Sequence, residues 1–203
     1  MKLSVVCVNH GNYLGRGAQY VQTLEAMVRR HLQQPFEFVC IEDAGDLAGW
    51  WVKVALFQPG RFDGRVVYFD LDSVIVGDLS ELVQTKGIID LADWGWKTHT
   101  LCSGVMVWDA GEHAEVFTRF NASVPQRFPG DQDWITHLGG WQALPAHLCR
   151  SYRYHSVTAP PPGSVHVGFH GKPKPHQVKT GWVPAAWNLS ESQTKALTPQ
   201  EIA

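Results

Sequence analysis

The chain carries almost no net charge, no long apolar run and no cysteine framework, and each absence removes a class of function. A formal charge of −2 supplies no global basic field, so any contact with nucleic acid would rest on a local patch. No stretch approaches the roughly 20 apolar residues that cross a bilayer, and no integral membrane segment is expected. The opening run Leu3–Val8 is too short for a secretory leader and falls into Asn9, His10, Gly11 and Asn12. Cys7, Cys40, Cys102 and Cys149 are far apart and match neither a zinc spacing nor a dense disulfide pattern. They are expected to be reduced thiols in a cytoplasmic protein. Repeats, coiled-coil heptads and long low-complexity linkers are missing too. What is present is 203 residues, 44% of them apolar and nine of them tryptophan, enough for a substantial core in a single domain.

The first half alternates between strand and helix patterns. Leu3–Val8 is expected to be a buried strand, followed by a loop over 9–17. Tyr20, Val21, Leu24, Met27, Val28 and His31 form a helical stripe. Phe36–Ile41 predicts a second strand, Trp50–Phe57 is helix-compatible and stopped by Pro59-Gly60, and Val66–Phe69 predicts a third strand. Such alternation implies an α/β fold with a mostly parallel central sheet and helices on both faces. Further strands are expected at Gly87–Leu91, Gly104–Trp108 and Ser164–Phe169, with helices at Glu112–Phe120 and from Asp131.

The third strand runs into Asp70-Leu71-Asp72. In strand geometry residues i and i+2 share a side, so both carboxylates could face one pocket. Two such carboxylates repel unless a cation lies between them, and hard oxygen ligands favour Mg²⁺ or Mn²⁺. Ligands in α/β sheets bind beyond the carboxyl ends of strands, where the loop around Asn9–Tyr13 and the Asp70/Asp72 pair both fall.

Four motifs occur in order: Asp70-Leu71-Asp72 after a strand, Cys102-Ser103-Gly104-Val105-Met106, Asp131-Gln132-Asp133, and Phe169-His170-Gly171-Lys172-Pro173-Lys174-Pro175. Together they resemble the family 8 glycosyltransferases, retaining sugar-nucleotide transferases of the GT-A fold, over residues 5 to 175. The resemblance implies a nucleotide-binding half at about 1–85, a donor and acceptor half at about 86–180, and a short C-terminal tail. It implies a UDP-sugar as the donor partner, an unknown acceptor, and Mn²⁺ (or Mg²⁺) as cofactor. Asp70, Asp72 and His170 would hold the metal against the donor diphosphate. Lys174, with Lys172 beside it, would add positive charge there, and Gly171 would let backbone approach. Tyr13 would stack on the base, with Val8 and Asn12 beside it. Lys53, Leu71, Ser103 and Gly104 would also contact the donor, and Asp131 and Gln132 would lie at the anomeric carbon.

The sequence departs from the family pattern at two positions. Cys102 stands where Asn is usual, and Gly168 stands where a metal-binding histidine is usual. His170 is the expected substitute, because His166 would lie roughly 13 Å back along an extended strand at 3.3 Å per residue. Ordinary structural roles compete for the same residues: Tyr13 as packing, Lys172 and Lys174 as a solvated turn, Asp131 as a helix cap. His10, His99, His113, His137, His147 and His155 are expected on the surface or satisfied in the core. Trp50, Trp51, Trp94, Trp96, Trp108, Trp134 and Trp141 are expected mostly in the core. Two alternatives share the motifs. Asp70-Leu71-Asp72-Ser73-Val74 also fits a haloacid-dehalogenase-like phosphatase with Asp70 as nucleophile, and a non-catalytic nucleotide-sugar binding module would keep the same pocket.

Overall fold

A computed structural model describes residues 2–95 and 100–188; Trp96, His99 and the C-terminal tail lie outside the described residues. The elements run β1 (Leu3–Val8), α1 (Gly17–His31), β2 (Glu37–Ile41), a 3₁₀ helix (Gly49–Phe57), β3 (Arg65–Phe69), β4 (Ser73–Ile75), α2 (Ser80–Gln84) and β5 (Gly87–Asp90). They continue through β6 (Leu101–Asp109), α3 (Glu115–Thr118), α4 (Val124–Arg127), α5 (Asp131–Leu138), β7 (Cys149–Ser151), α6 (Tyr152–His155), β8 (His166–Gly168) and α7 (Val183–Trp187).

The main sheet has the order β2-β1-β3-β6-β5. β1 pairs in parallel with β2 and β3, while β6 runs antiparallel to both β3 and β5. Four strands therefore point one way and β6 alone is reversed. Alternation along the strands divides the core in two. Val5, Cys7, Val67, Phe69, Val105 and Val107 pack against Tyr20, Leu24 and Met27 of α1. Val6, Val66, Tyr68, Met106 and Trp108 pack on the opposite face against Val54, Leu56, Phe57 and Ile135. Helices cover both faces, as the alternating pattern predicts.

A second sheet has the order β4-β8-β7, and of its strands only β8 falls within a stretch the sequence marks, Ser164–Phe169. Its strands are three residues each, too short for any periodicity to register. It matters for the site, because antiparallel pairing of Ser73 with Gly168 brings the Phe169–Pro175 segment beside Asp72. The helix expected over Glu112–Phe120 shrinks to Glu115–Thr118, preceded by a turn in which His113 has φ 54°. Strand β8 is likewise shorter than expected and ends at Gly168. No helix among the described residues is long and apolar enough to cross a membrane.

Candidate active site

Asp70, Leu71 and Asp72 form the turn between β3 and β4, not the last residues of a strand. The expected convergence still holds, since both carboxylates line the same two adjoining cavities. The larger, about 360 Å³, is also bounded by Val8, Tyr13, Trp50, Lys53 and Leu71. The smaller, about 220 Å³, is bounded by Trp94, Gly104, His166, His170 and Lys174. The two aspartates are common to both and stand between them.

Each aspartate has its own lysine. Lys53 Nζ lies 2.8 Å from Asp70 Oδ1 and 3.5 Å from Asp131 Oδ2, and it donates to Ser103 Oγ at 3.0 Å. Ser103 in turn donates to Asp131 Oδ2 at 2.5 Å. Burial opposes the charge on Lys53, but Asp131 and Asp70 outweigh it and raise the ammonium's pKa. Tyr68 donates to Asp70 Oδ1 at 2.7 Å. On the other side, Lys174 donates to Asp72 and, at 3.0 Å, to the carbonyl of Phe169. Tyr13 donates to Asp72 Oδ2 at 3.0 Å.

Local structure explains how these groups arrive. In the 3₁₀ helix side chains three apart eclipse, so Trp50 and Lys53 look into the cavity together. The pairing of Phe69 with Val105 continues into a bond from Asp70 N–H to the Gly104 carbonyl at 2.9 Å, setting Ser103 beside the first aspartate. A Cβ on Gly104 would lie 3.5 Å from Asp70 Oδ2, at ordinary contact distance, so position 104 directly adjoins the carboxylate. At the start of α1 a Cβ on Gly17 would fall 2.0 Å from Asn9 Oδ1. Only glycine lets Asn9 accept from the Tyr13 N–H at 3.2 Å and hold that loop against the pocket.

No family model matches the chain, and no curated protein matches it. Among solved structures it is similar to the glycosyltransferase GlyE of Streptococcus pneumoniae, with a TM-score of 0.66 at 14% identity over 92% of this chain and 60% of GlyE. An active-site mutant of LgtC gives 0.63 at 15% identity over 96% of both chains. The galactosyltransferase LgtC in complex with donor and acceptor sugar analogs gives 0.58 at 16% identity, over 96% of this chain and all of that one (100%). The fold is that of the GT-A glycosyltransferases. The chain spans about three fifths of the length of GlyE (60%).

Within this glycosyltransferase fold, most of the residues singled out in the sequence come together: Val8, Tyr13, Lys53, Asp70, Leu71, Asp72, His170 and Lys174 line the two cavities, and Ser103 and Asp131 join through Lys53. Asn12 does not line either cavity; its side chain accepts from the Gly17 N–H at 2.8 Å and holds the start of α1. Gln132 follows Asp131 on α5, and its carbonyl accepts from the Thr136 hydroxyl at 2.7 Å, while its side chain makes no hydrogen bond among the described residues. Gly171 adopts φ 71°, and a Cβ there would sit 3.4 Å from Arg153 Nη1. Tyr68, two residues before Asp70, and Trp94 also line the cavities; strand alternation places the first beside Asp70, and only the tertiary fold brings the second. Trp50, expected in the core, is 58% exposed; Trp94, Trp108 and Trp134 are buried as expected.

The space a side chain at 168 would need is filled. A Cβ on Gly168 would meet Trp94 Cη2 at 3.2 Å and His166 Cε1 at 3.3 Å. His166, expected too far back along the strand, lines the smaller cavity together with Asp70 and Asp72, and its Nε2 lies 2.9 Å from Ser73 Oγ. Its Nδ1 is buried without a hydrogen-bond partner. His170 stacks between Trp94 and Tyr154, with centroids 5.5 and 5.4 Å away, and its Nε2 pairs with Ser151 Oγ at 2.7 Å.

Burial pushes the His166 imidazole down to about 3, with Asp70 offsetting part of the effect. The unfolded chain takes up this proton below about 6.5, whereas the folded chain does not until far lower. Stability held above that value is therefore lost as pH falls toward 3, by at most about 1.4 kcal/mol per pH unit. Urea denaturation of metal-free protein between neutral and mildly acidic pH should show this slope, and His166→Gln should flatten it. Equal slopes in the two proteins would contradict the assignment.

The residues present suit a divalent cation. Asp70 Oδ2 and Asp72 Oδ1 have no hydrogen bond among the described residues, and both are hard oxygen donors. Burial and the neighbouring Asp70 charge push the Asp72 carboxyl above its ordinary range, against the pull of Lys174 and Tyr13, and a cation would relieve that repulsion. No group of three His, Cys, Asp or Glu side chains among the described residues stands ready to hold a metal, so ligation would need Lys174 to yield and an imidazole to turn.

Proposed function

We propose that the protein is a metal-dependent glycosyltransferase that transfers a sugar from a nucleoside diphosphate donor, a UDP-sugar, to an acceptor hydroxyl with retention of configuration. The observation that carries this reading is the paired set Lys53–Asp70 and Lys174–Asp72, placed beyond the carboxyl ends of β1 and β3 in a glycosyltransferase fold. That is where α/β sheets take nucleotides. The phosphatase alternative has no matching support, because Asp70 is engaged by Tyr68 and Lys53 and the similar folds are those of sugar transferases.

Tyr13, half-buried with its ring edge-on to Tyr20 at 5.2 Å, offers a face to the base beside Val8. Lys174 and Lys172 would hold the diphosphate, with Gly171 giving backbone access. Lys53, Ser103, Gly104 and Asp131 would fix the sugar's hydroxyls, with Gln132 next to them. In the transfer the acceptor oxygen bonds to the anomeric carbon as the bond from that carbon to the diphosphate oxygen breaks on the same face. The acceptor proton passes to the departing phosphate oxygen. Lys174 stabilises the charge that develops there. When bound by Asp70, Asp72 and an imidazole, Mn²⁺ or Mg²⁺ would supply Lewis acidity to the leaving diphosphate.

His170 is the imidazole implied by the sequence resemblance, yet it sits among the cations Arg153 and Lys174, which with burial lower its pKa. His166 is the one that feels Asp70, and a metal-bound imidazole commonly donates its other nitrogen to a fixed acceptor, as Ser73 would be here. We therefore expect His166→Ala to weaken Mn²⁺ binding in the presence of UDP more than His170→Ala does, measured by paramagnetic resonance. The reverse order would give the role to His170. The reading as a whole is tested by thermal shift with nucleotide sugars, with and without Mn²⁺. Ligand at 100 times its dissociation constant should add roughly 2.7 kcal/mol of stability, and no shift with any nucleotide sugar would count against it.

A further inference from the structure

At the wall of the larger cavity, and on either side of Gly130, the structure places an exposed tryptophan and an unpartnered carboxylate. Trp50 is 58% exposed in the first turn of the 3₁₀ helix, and no other aromatic ring among the described residues packs on it. A point one Cβ out from Gly130 lies 3.6 Å from Trp50 Nε1, 3.7 Å from Trp50 Cδ1 and 3.6 Å from Asp133 Oδ2. Asp133 is half-buried in the first turn of α5 and has neither a hydrogen bond nor an ion pair among the described residues. Gly130 itself carries no side chain to fill the gap, and the next residue is Asp131, tied to Lys53 and Ser103.

Tryptophan presents a broad apolar face together with one N–H donor. Here three unused functions converge: an apolar aromatic face, an indole N–H donor and a carboxylate acceptor. A pyranose ring matches all three. Its C–H face packs on the indole, one ring or hydroxyl oxygen accepts from Nε1–H, and a hydroxyl donates to Asp133. A lipid chain would leave both polar groups unmatched.

We propose that Trp50 and Asp133 form an acceptor subsite for a carbohydrate, so that the protein extends a glycan and does not initiate on protein or lipid. This rests on the functional reading above and names its acceptor class. Placement supports an acceptor over a second donor contact. Tyr13 and the Asp72–Lys174 pair mark the base and phosphate end of the donor cavity, whereas Trp50, Gly130 and Asp133 adjoin Asp131 at the sugar end. The attacking hydroxyl has to arrive there.

The experiment uses the whole chain, the UDP-sugar it binds, and as acceptor probes methyl α- and β-hexopyranosides, lactose, maltose and cellobiose. Wild type should transfer to at least one of them. Trp50→Ala and Asp133→Asn should each raise the acceptor KM about tenfold while moving the donor KM less than about threefold, as loss of one aromatic or hydrogen-bond contact predicts. Trp50→Phe, which restores a face but no N–H, should recover most of the loss. A donor KM that rises as much as the acceptor KM would make Trp50 a donor wall and overturn the proposal. Donor hydrolysis with transfer to a peptide or lipid but to none of the sugars would overturn the acceptor class alone. Failure to bind any nucleotide sugar would overturn this proposal together with the functional reading.

Discussion

Lys53→Ala is expected to cost about 3–5 kcal/mol of stability, the usual loss when one partner of a buried ion pair is removed, and to abolish sugar transfer. Lys53 is 14% exposed and bridges Asp70 and Asp131 across 2.8 and 3.5 Å. Without it the two carboxylates are left with no cation between them, Asp131 being 8% exposed. Lys53→Arg keeps the charge but changes the donor geometry, so it should recover much of the stability and little of the activity. Urea unfolding and UDP release from a UDP-sugar measure the two effects separately. A Lys53→Ala protein within about 1 kcal/mol of wild type would show that the pair contributes no more than a surface ion pair does.

Asp72→Ala should lower transfer by at least about 100-fold, the scale of removing one preorganised charge contact from a reacting site. From sequence alone, loss of one of two neighbouring carboxylates would be expected to relieve repulsion and stabilise the apo protein. The structure changes that expectation. Asp72 is the acceptor for both Tyr13 and Lys174, so its removal strands an ammonium and a phenol hydroxyl in a half-closed cavity and should destabilise instead. Asp72→Asn, which keeps an acceptor for Tyr13, should retain more stability than Asp72→Ala with as little activity. Full activity of Asp72→Ala, or of wild type in EDTA, would contradict a metal held at this pair.

The parts of the fold that were legible in the sequence are those whose burial has a period. β1, β3 and α1 announce themselves because a strand buried on both faces and an amphipathic helix leave different spacings. The second sheet was legible only at β8, inside the Ser164–Phe169 run, since Ser73–Ile75 and Cys149–Ser151 are each shorter than one diagnostic repeat. Asp70 and Asp72 were legible as a pair, but their lysine partners depend on contacts across 17 and 102 residues of chain, which only motif order suggested. Trp50 and Trp51 are adjacent and equally apolar, so composition treats them alike. The 3₁₀ turn separates them: Trp51 packs on Phe120 with centroids 5.4 Å apart, and Trp50 faces the cavity mouth. Gly168 shows the converse. The sequence marked a missing histidine, while only the structure shows Trp94 and His166 filling its place.

The central claim is that Asp70 and Asp72 serve a nucleotide-sugar reaction, and release of nucleoside diphosphate from a panel of nucleotide sugars tests it most directly. Wild type with Mn²⁺ should release UDP from at least one UDP-sugar, and EDTA, Asp70→Ala and Asp72→Ala should each remove that release. Release of UDP at the wild-type rate by both aspartate variants, or none from any nucleotide sugar by wild type with Mn²⁺ or Mg²⁺, would contradict the account.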